Sequence, residues 1–313
     1  MEIPVYLFTG FLEAGKTKFI QETLQDKRFN NSERTTLVLC EEGIEEYDPT
    51  LFSGKNVFLH IVEEEQWLTI DHLSTLQKRD KSERVIIEYN GMWQLNNLFG
   101  NLPEGWVIAQ EMMFADASTF LNYNANMRSL VVDKLQSCDI VIFNRCTPGF
   151  DKMPLHKIVR GVSRRADIAY DYTDGSTEYD DIEDPLPFDI NADIIEIADD
   201  DFALWYRDIT EDSKKYVGKT VRFKGIIARD NKLPKDVFVI GRHIMTCCSN
   251  DIQYGGIVAV WSNAAQVKTR DWAVVTADIA FEYNKAYRGK GPVLHITAFE
   301  PATAPEQQVV TFY

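Results

Sequence analysis

Short apolar runs alternate with stretches of helical periodicity through the first half of the chain. The runs at 35–40 and 56–62 are apolar enough to be buried on both faces, as in parallel strands covered by helices. Helical spacing at 66–78 and 118–136 separates such runs, so the pattern predicts a doubly wound, mostly parallel α/β sheet with its ligand at the carboxyl ends of the strands. Further strands are predicted at 3–8, 84–88, 106–114 and 139–144.

The pattern changes after Tyr170. Residues 171–194 are rich in acids, with Gly, Ser and Pro and little periodicity, which is typical of a linker. Beyond Lys219 the apolar runs are short, β-rich and separated by turn residues, which predicts an all-β small barrel of the five-stranded OB kind. We therefore predict an α/β domain over 1–170, an acidic linker over 171–194 and a barrel over 195–313.

A phosphate-binding motif follows the first predicted strand. Residues 10–17 read G-x-x-x-x-G-K-T between a strand and a helix, which predicts a P-loop NTPase fold for the first domain. Glycines at both ends let backbone N–H groups converge on an anion, and the helix dipole adds to the attraction. Lys16 is expected to reach the outer phosphates, and the Thr17 hydroxyl is expected to hold Mg²⁺. The predicted nucleotide-binding residues here are Gly10, Glu13, Ala14, Gly15, Lys16, Thr17 and Lys18. The alternative is a glycine-bearing turn with a solvated lysine.

Two acids at strand ends complete the predicted catalytic group with Lys16. Glu88 ends a buried strand, where its carboxylate can reach a water bound to Mg²⁺, and Gly91 lets a peptide N–H approach the terminal phosphate. Glu41 ends the neighbouring strand and is expected to face the same place. Either acid could instead be a solvated strand terminus.

Charge and composition narrow the choice of partners. The chain carries 33 basic and 48 acidic residues, a net charge of -15, so we expect no nucleic acid partner. No apolar run approaches the ~20 residues of a membrane span, and we expect a cytoplasmic protein. The five cysteines are odd in number, and reduced thiols fit better than disulfides. Barrel aromatics could stack on single-stranded nucleic acid or fill the barrel: Trp261, Trp272, Phe281, Tyr283 and Tyr287.

Four motifs in order resemble those of CobW-like GTPases, relatives of the urease and hydrogenase maturation GTPases: residues 4–20, 40–43, 87–91 and 139–144. The resemblance covers roughly residues 1–165. It implies a SIMIBI-class GTPase that loads or escorts a transition metal. Glu41 and Glu88 would then lie around Mg²⁺, and Asn144 would contact guanine.

The chain departs from this family at two places. Relatives carry Asn-Lys-x-Asp at the base-reading strand end, whereas here Asn144 is followed by Arg145, Cys146 and Thr147. Arg145 can stack on a base, but no carboxylate fills the last place, which leaves the choice between GTP and ATP open. Relatives also carry a Cys-x-Cys-Cys cluster after the third strand. Here His60 is followed by the glutamates of 63–65, which could bind a hard ion or form an exposed acidic helix start.

A second cysteine signal lies in the predicted barrel. Cys247 and Cys248 could offer one thiolate to a soft metal such as Zn²⁺, with His243 or Asp251, or could be structural. Residues 195–313 resemble the C-terminal domain of YcgQ-like proteins, which carry a similar stretch and are found beside putative permeases.

These observations favour a GTP-binding protein and GTPase acting in metal ion or metallocofactor trafficking. Its partners would be nucleotide and Mg²⁺, with a metal-receiving protein or permease and a second copy of the chain as further candidates. The alternative is a non-hydrolysing, nucleotide-dependent scaffold that regulates a permease.

Overall fold

The computed structural model describes residues 2–230, 233–246 and 251–312. The chain forms two compact units, Met1–Ile182 and Glu183–Tyr313. In the described part of the chain, no helix combines the length and apolar character that a membrane span requires.

The first unit is a sheet with helices against its two faces. Its strands are β1 Ile3–Gly10, β2 Thr35–Leu39, β3 Val57–Ile61, β4 Arg84–Glu88, β5 Trp106–Asp116, β6 Ile140–Cys146, β7 Asp167–Tyr172 and β8 Thr177–Tyr179. Its α-helices are α1 Lys16–Gln25, α2 Ile70–Asp80, α3 Leu95–Phe99, α4 Phe120–Asn126, α5 Arg128–Leu135 and α6 Met153–Val162. The strand order is β3-β2-β4-β1-β5-β6-β7-β8, and all pairs are parallel except β7–β8. This confirms the predicted mixed α/β fold with a parallel sheet.

Alternation along the strands divides the core between the two faces of the sheet. Leu7 packs with Val38 and Leu73 on one face, whereas Phe8 packs with Ile20 and Leu24 of α1 on the other. Successive side chains of a strand point to opposite faces, so one apolar run supplies both layers. β1 lies at the centre of the sheet, which places the phosphate loop where several strands end.

Three local predictions need correction. β3 is the edge strand and stays partly exposed, because only β2 pairs with it, so it is not buried on both faces as predicted. The single helix predicted at 118–136 is two helices, since Met127 has non-helical angles of φ -132° and ψ 43°. The helix predicted from residue 66 begins at Ile70, where the Thr69 hydroxyl caps it by accepting from the His72 N–H at 3.2 Å.

The second unit is mostly sheet. Its elements are β9 Ile194–Glu196, α7 Phe202–Glu211, β10 Thr220–Ala228, β11 Val237–Ile244, β12 Gln253–Val260, β13 Trp272–Asn284, β14 Gly289–Ala302 and β15 Val309–Val310. Pairing runs from β10 through β11, β12, β14 and β13 back to β10, with β12 and β14 parallel. The strand pattern did not predict α7, whose Trp205 is fully buried in the core of this unit.

The segment predicted as a linker carries structure of its own. Residues 171 and 172 end β7, and β8 follows at Thr177–Tyr179, so this part belongs to the first sheet. Most of the acids of 171–194 are exposed, which agrees with the acidic composition of this segment. Of the aromatic residues named for the predicted barrel, Trp261 stacks on Phe299 with ring centroids 4.6 Å apart, while Phe281 and Tyr283 are exposed.

Candidate nucleotide-binding site

The loop after β1 needs its glycines. Gly10 has φ +122°, and a Cβ there would lie 2.0 Å from the carbonyl oxygen of Phe114. Gly15 has φ +99°, and its Cβ would lie 2.2 Å from Nδ2 of Asn144. Because L side chains rarely adopt these angles and neighbouring atoms fill the space, the two glycines allow the close packing of the loop against β5 and β6.

Lys16 begins α1 and its side chain turns back onto the loop. The residue is 3% exposed, and Nζ donates to the carbonyl oxygens of Gly10 at 2.9 Å and Phe11 at 3.0 Å. Nζ also forms an ion pair with Glu41. The other carboxylate oxygen of Glu41 accepts from the N–H of Gly91 at 3.2 Å. One carboxylate therefore lies between the two donors predicted for the terminal phosphate.

Gly91 reaches this point because it has no side chain. A Cβ on Gly91 would lie 2.6 Å from the carbonyl oxygen of Gly10 and 2.7 Å from Cα of Phe11. The close approach of the two loops therefore requires glycine at this position. A larger residue would push the N–H of residue 91 away from Lys16.

Glu88 is buried at the end of β4, with 2% exposure. One carboxylate oxygen accepts from the Thr17 hydroxyl at 2.8 Å, and the other accepts from the Tyr47 hydroxyl. Burial raises the pKa of Glu88, although the Tyr47 hydrogen bond and the charge of Lys16 act in the opposite direction. The structure brings together Thr17 and Glu88, the two residues expected around Mg²⁺. Sequence reasoning missed Tyr47, which belongs to no recognised motif.

A cavity of about 530 Å³ lies beside these groups. Its lining includes Glu41, Asn90, Phe11 and Cys40. Burial raises the pKa of the Cys40 thiol, with the charges of Glu41 and Glu88 adding to the effect, so the thiol stays protonated at neutral pH. Within the described residues, no group of three or more His, Cys, Asp or Glu side chains is arranged to hold a metal ion.

The predicted base-reading residues contact the backbone of the loop of residues 10–17. Nδ2 of Asn144 donates to the carbonyl oxygen of Ala14 at 3.4 Å. Nη1 of Arg145 donates to the carbonyl oxygen of Glu13 at 2.7 Å and to Oδ2 of Asp116 at 2.6 Å. The guanidinium of Arg145, which the sequence left able to stack on a base, therefore ties β5 to the loop.

A second cavity, of about 730 Å³, extends from this end along the sheet face that carries α1. Gly15, Lys18, Asn144 and Asp171 line it together with the apolar side chain of Phe114. Sequence reasoning found Lys18 and Asn144 but missed Asp171, which lay in the predicted linker. The pairing of β6 with β7 brings Asp171 to this cavity, and that pairing cannot be read from a single sequence motif.

The remaining described candidates have other contacts. Nε2 of His60 lies 2.6 Å from Oδ2 of Asp80, a contact that does not involve the glutamates of 63–65. In the second unit, the His243 ring packs edge-on against Tyr254, and Asp251 accepts from the N–H of Thr246 at 3.2 Å. Cys247 and Cys248 lie outside the described residues.

A parallel α/β sheet with a glycine-bounded loop between its central strand and a helix resembles the nucleotide-binding fold of P-loop GTPases. Residues 173–311 match the family model described as the DUF1980 C-terminal domain. A curated relative, the UPF0703 protein YcgQ of Bacillus subtilis, is 25% identical over 117 residues, 37% of this chain and 41% of its own length.

Two solved structures are similar to this chain at low sequence identity. The zinc-bound YjiA GTPase from E. coli has a TM-score of 0.41 at 16% identity, covering 82% of this chain and 89% of that one. The hydrogenase maturation factor HypB from Archaeoglobus fulgidus has a TM-score of 0.38 at 14% identity, covering 54% and 80%. The family match and the curated relative concern the YcgQ-like second part, and the chain spans about two fifths of the length of YcgQ.

Proposed function

We propose that this protein binds GTP with Mg²⁺ in the loop of residues 10–17 and hydrolyses it. The observation that carries the proposal is the position of the Glu41 carboxylate, which contacts the ammonium group of Lys16 and the N–H of Gly91. Like a carboxylate, a terminal phosphate is an anion that an ammonium group and a backbone N–H bind. In this proposal the terminal phosphate takes the position of the Glu41 carboxylate when nucleotide binds.

The residues at the predicted Mg²⁺ site fit that ion. A hydroxyl and a carboxylate, Thr17 and Glu88, are hydrogen-bonded to each other, and oxygen ligands are those that Mg²⁺ prefers. When bound, Mg²⁺ neutralises charge that develops on the phosphate oxygens. Glu88 is proposed to orient the attacking water, and the loop backbone with Lys16 binds the phosphates. Tyr47 must release Glu88 before that carboxylate is free for this role.

The loop that supplies Glu41 and Tyr47 is proposed to be the nucleotide-dependent switch. It is held to the phosphate loop by the N–H of Ile44, which donates to Oε1 of Glu13 at 2.8 Å. It is held to α1 by the N–H of Asp48, which donates to Oε1 of Gln21 at 3.1 Å. Entry of the terminal phosphate displaces Glu41 and weakens these contacts, as in switch segments that respond to the last phosphate.

The role in metal or metallocofactor trafficking rests on the motif resemblance, and the second unit is proposed to be the metal- or permease-linked part. Its closed circuit of five strands, with β12 parallel to β14, supports an OB-type barrel. Zn²⁺ is a candidate cargo for Cys247 and Cys248. Elemental analysis of the full chain beside a Cys247→Ser, Cys248→Ser variant tests this, because equal metal content in both excludes the thiolates.

Calorimetric titration with GTP and GDP, combined with steady-state phosphate release, tests the nucleotide proposal. We expect tighter binding of GTP than GDP in Mg²⁺, and turnover that Glu88→Ala abolishes. Retained GTP affinity without turnover in the unmodified chain favours the alternative, a non-hydrolysing scaffold for a permease. Absence of binding overturns both. Light scattering with each nucleotide tests the proposed homodimer.

A further inference from the structure

The base end of the site lacks a carboxylate where the motif of its relatives has one. Asn144 is followed by Arg145, Cys146 and Thr147, and Arg145 is engaged by Asp116 and the phosphate loop. A site that recognises guanine needs an acceptor for the N–H groups of its ring edge, because an unpaired buried donor costs binding energy. The acceptor must therefore come from another element.

The neighbouring strand brings an acid to this place. β6 and β7 are parallel, with Phe143 opposite Tyr170, so Asn144 and Asp171 are the next residues on both strands. The register shifts between Phe143 and Cys146, and it is the cavity lined by both side chains that places them on the sheet face that carries α1. Asn144 and Asp171 line the cavity of about 730 Å³ together with Gly15 and Lys18.

The hairpin of β7 and β8 holds the Asp171 carboxylate in position. Thr177 lies opposite Asp171 in the ladder, and its hydroxyl donates to Oδ1 of Asp171 at 2.7 Å. The N–H of Thr173 donates to the carbonyl oxygen of Cys146 at 2.9 Å, which ties the turn to the end of β6. Among the described residues no hydrogen bond engages Oδ2 of Asp171, so this oxygen is available to a ligand.

The geometry points to Asp171 as the carboxylate that reads the base of the bound nucleotide, an inference that rests on the proposed nucleotide site. Guanine presents donors at N1 and at the 2-amino group and acceptors at O6 and N7, which match a carboxylate at Asp171 and an ammonium group at Lys18. Adenine has a donor only at its 6-amino group and lacks the 2-amino group. Guanine specificity is thus supplied from β7, in place of the missing acid after Asn144.

Competition binding with four triphosphates tests the assignment. In the unmodified full chain we expect GTP to bind about tenfold or more tightly than ITP, XTP and ATP, since each presents a different ring edge to the carboxylate. Asp171→Asn keeps an acceptor for Thr177 but adds an amide donor. We expect it to lower GTP affinity about tenfold and to raise XTP affinity, because xanthine carries an oxygen in place of the 2-amino group.

The matched control is Asp167→Asn, the same chemical change at the exposed start of β7. It should leave all four affinities unchanged. Equal affinity of the unmodified chain for GTP and ATP overturns the inference, as does a GTP-to-XTP ratio that Asp171→Asn leaves unaltered. In both cases triphosphate binding itself persists, so the nucleotide proposal survives. Absence of binding for all four triphosphates overturns the nucleotide proposal and this inference together.

Discussion

The two ends of the candidate site differ in how the protein treats its own polar groups. At the phosphate end, Glu41 contacts Lys16 and Tyr47 contacts Glu88, so the key groups are already paired within the chain. At the base end, Asp171 has one carboxylate oxygen held by Thr177 and the other without a hydrogen bond among the described residues. Under the proposed function, the phosphate end exchanges partners when nucleotide binds, whereas the base end has an acceptor in place.

This difference gives the two ends different proposed roles. The phosphate end acts as a switch, and the base end selects the base. Exchange of a buried carboxylate for a phosphate couples binding to movement of the loop that carries the carboxylate, because the loop loses its partner. A carboxylate fixed by a hairpin discriminates between bases without movement. Substitutions at the phosphate end should therefore change affinity for the phosphate chain, and those at the base end should change the preference for a base.

The largest effect is expected for Lys16→Ala. It removes the ammonium group shared by Gly10, Phe11 and Glu41 and leaves Glu41 without its counter-charge. We expect GTP affinity to fall by about a hundredfold or more, measured by calorimetry. Lys27→Ala, an exposed lysine beyond the end of α1, is the control and should leave affinity unchanged. Equal binding by the Lys16 variant would exclude the loop as the phosphate site.

Glu88→Gln should act on the Mg²⁺-dependent part of binding and on turnover. A neutral amide is a weaker ligand for the ion and its water, and we expect a loss of about thirtyfold in phosphate release. In the unmodified chain the raised pKa of Glu88 means that protonation begins at a higher pH than for an ordinary carboxyl group. Mg²⁺-dependent affinity should therefore fall as pH decreases through that raised pKa.

Glu111→Gln is the control for this pH dependence. Burial raises the pKa of Glu111 to about 7, and its carboxylate accepts from the Ser137 hydroxyl at 3.1 Å, outside the phosphate loop. The Glu88 variant should lose the pH dependence of Mg²⁺-dependent affinity, and the Glu111 variant should keep it. A dependence that persists in the Glu88 variant would assign the titration to another group.

A smaller effect in the opposite direction is expected for Glu41→Gln. Glutamine removes the charge that competes with the terminal phosphate for Lys16, so GTP affinity should rise about tenfold while GDP affinity changes less. Calorimetry with both nucleotides measures the difference. Glu42→Gln, the exposed neighbouring acid, is the matched control. Unchanged GTP affinity in the Glu41 variant would contradict the competition between carboxylate and phosphate.

The smallest effect is expected for Tyr47→Phe, which removes the hydroxyl that donates to Glu88. Freeing one carboxylate oxygen should strengthen Mg²⁺-dependent GTP binding about threefold, the worth of one net hydrogen bond. Titration of Mg²⁺ at fixed GTP measures it. Tyr123→Phe removes a hydroxyl from a ring stacked on Phe11 and serves as the control. Weaker binding in the Tyr47 variant would show that the hydroxyl supports the site.

Much of the fold was predictable from the sequence, because periodicity reports burial directly. The parallel sheet, the loop after β1 and the β-rich second unit all follow from such patterns. The exposure of β3 and the break at Met127 were not predictable, since they depend on which strand lies at the edge and on how helices pack. Helix α7 was missed because its burial depends on the strands that surround it.

The sequence by itself determined the glycine-bounded loop of residues 10–17, since two glycines and a lysine at motif spacing act through local backbone angles and the start of one helix. Only the tertiary structure decided which side chains meet that loop. Glu41, Tyr47 and Asp171 are distant from it along the chain and reach the site through strand order and register. Local conformation depends on a few neighbouring residues, whereas partners across a sheet depend on how the whole unit packs.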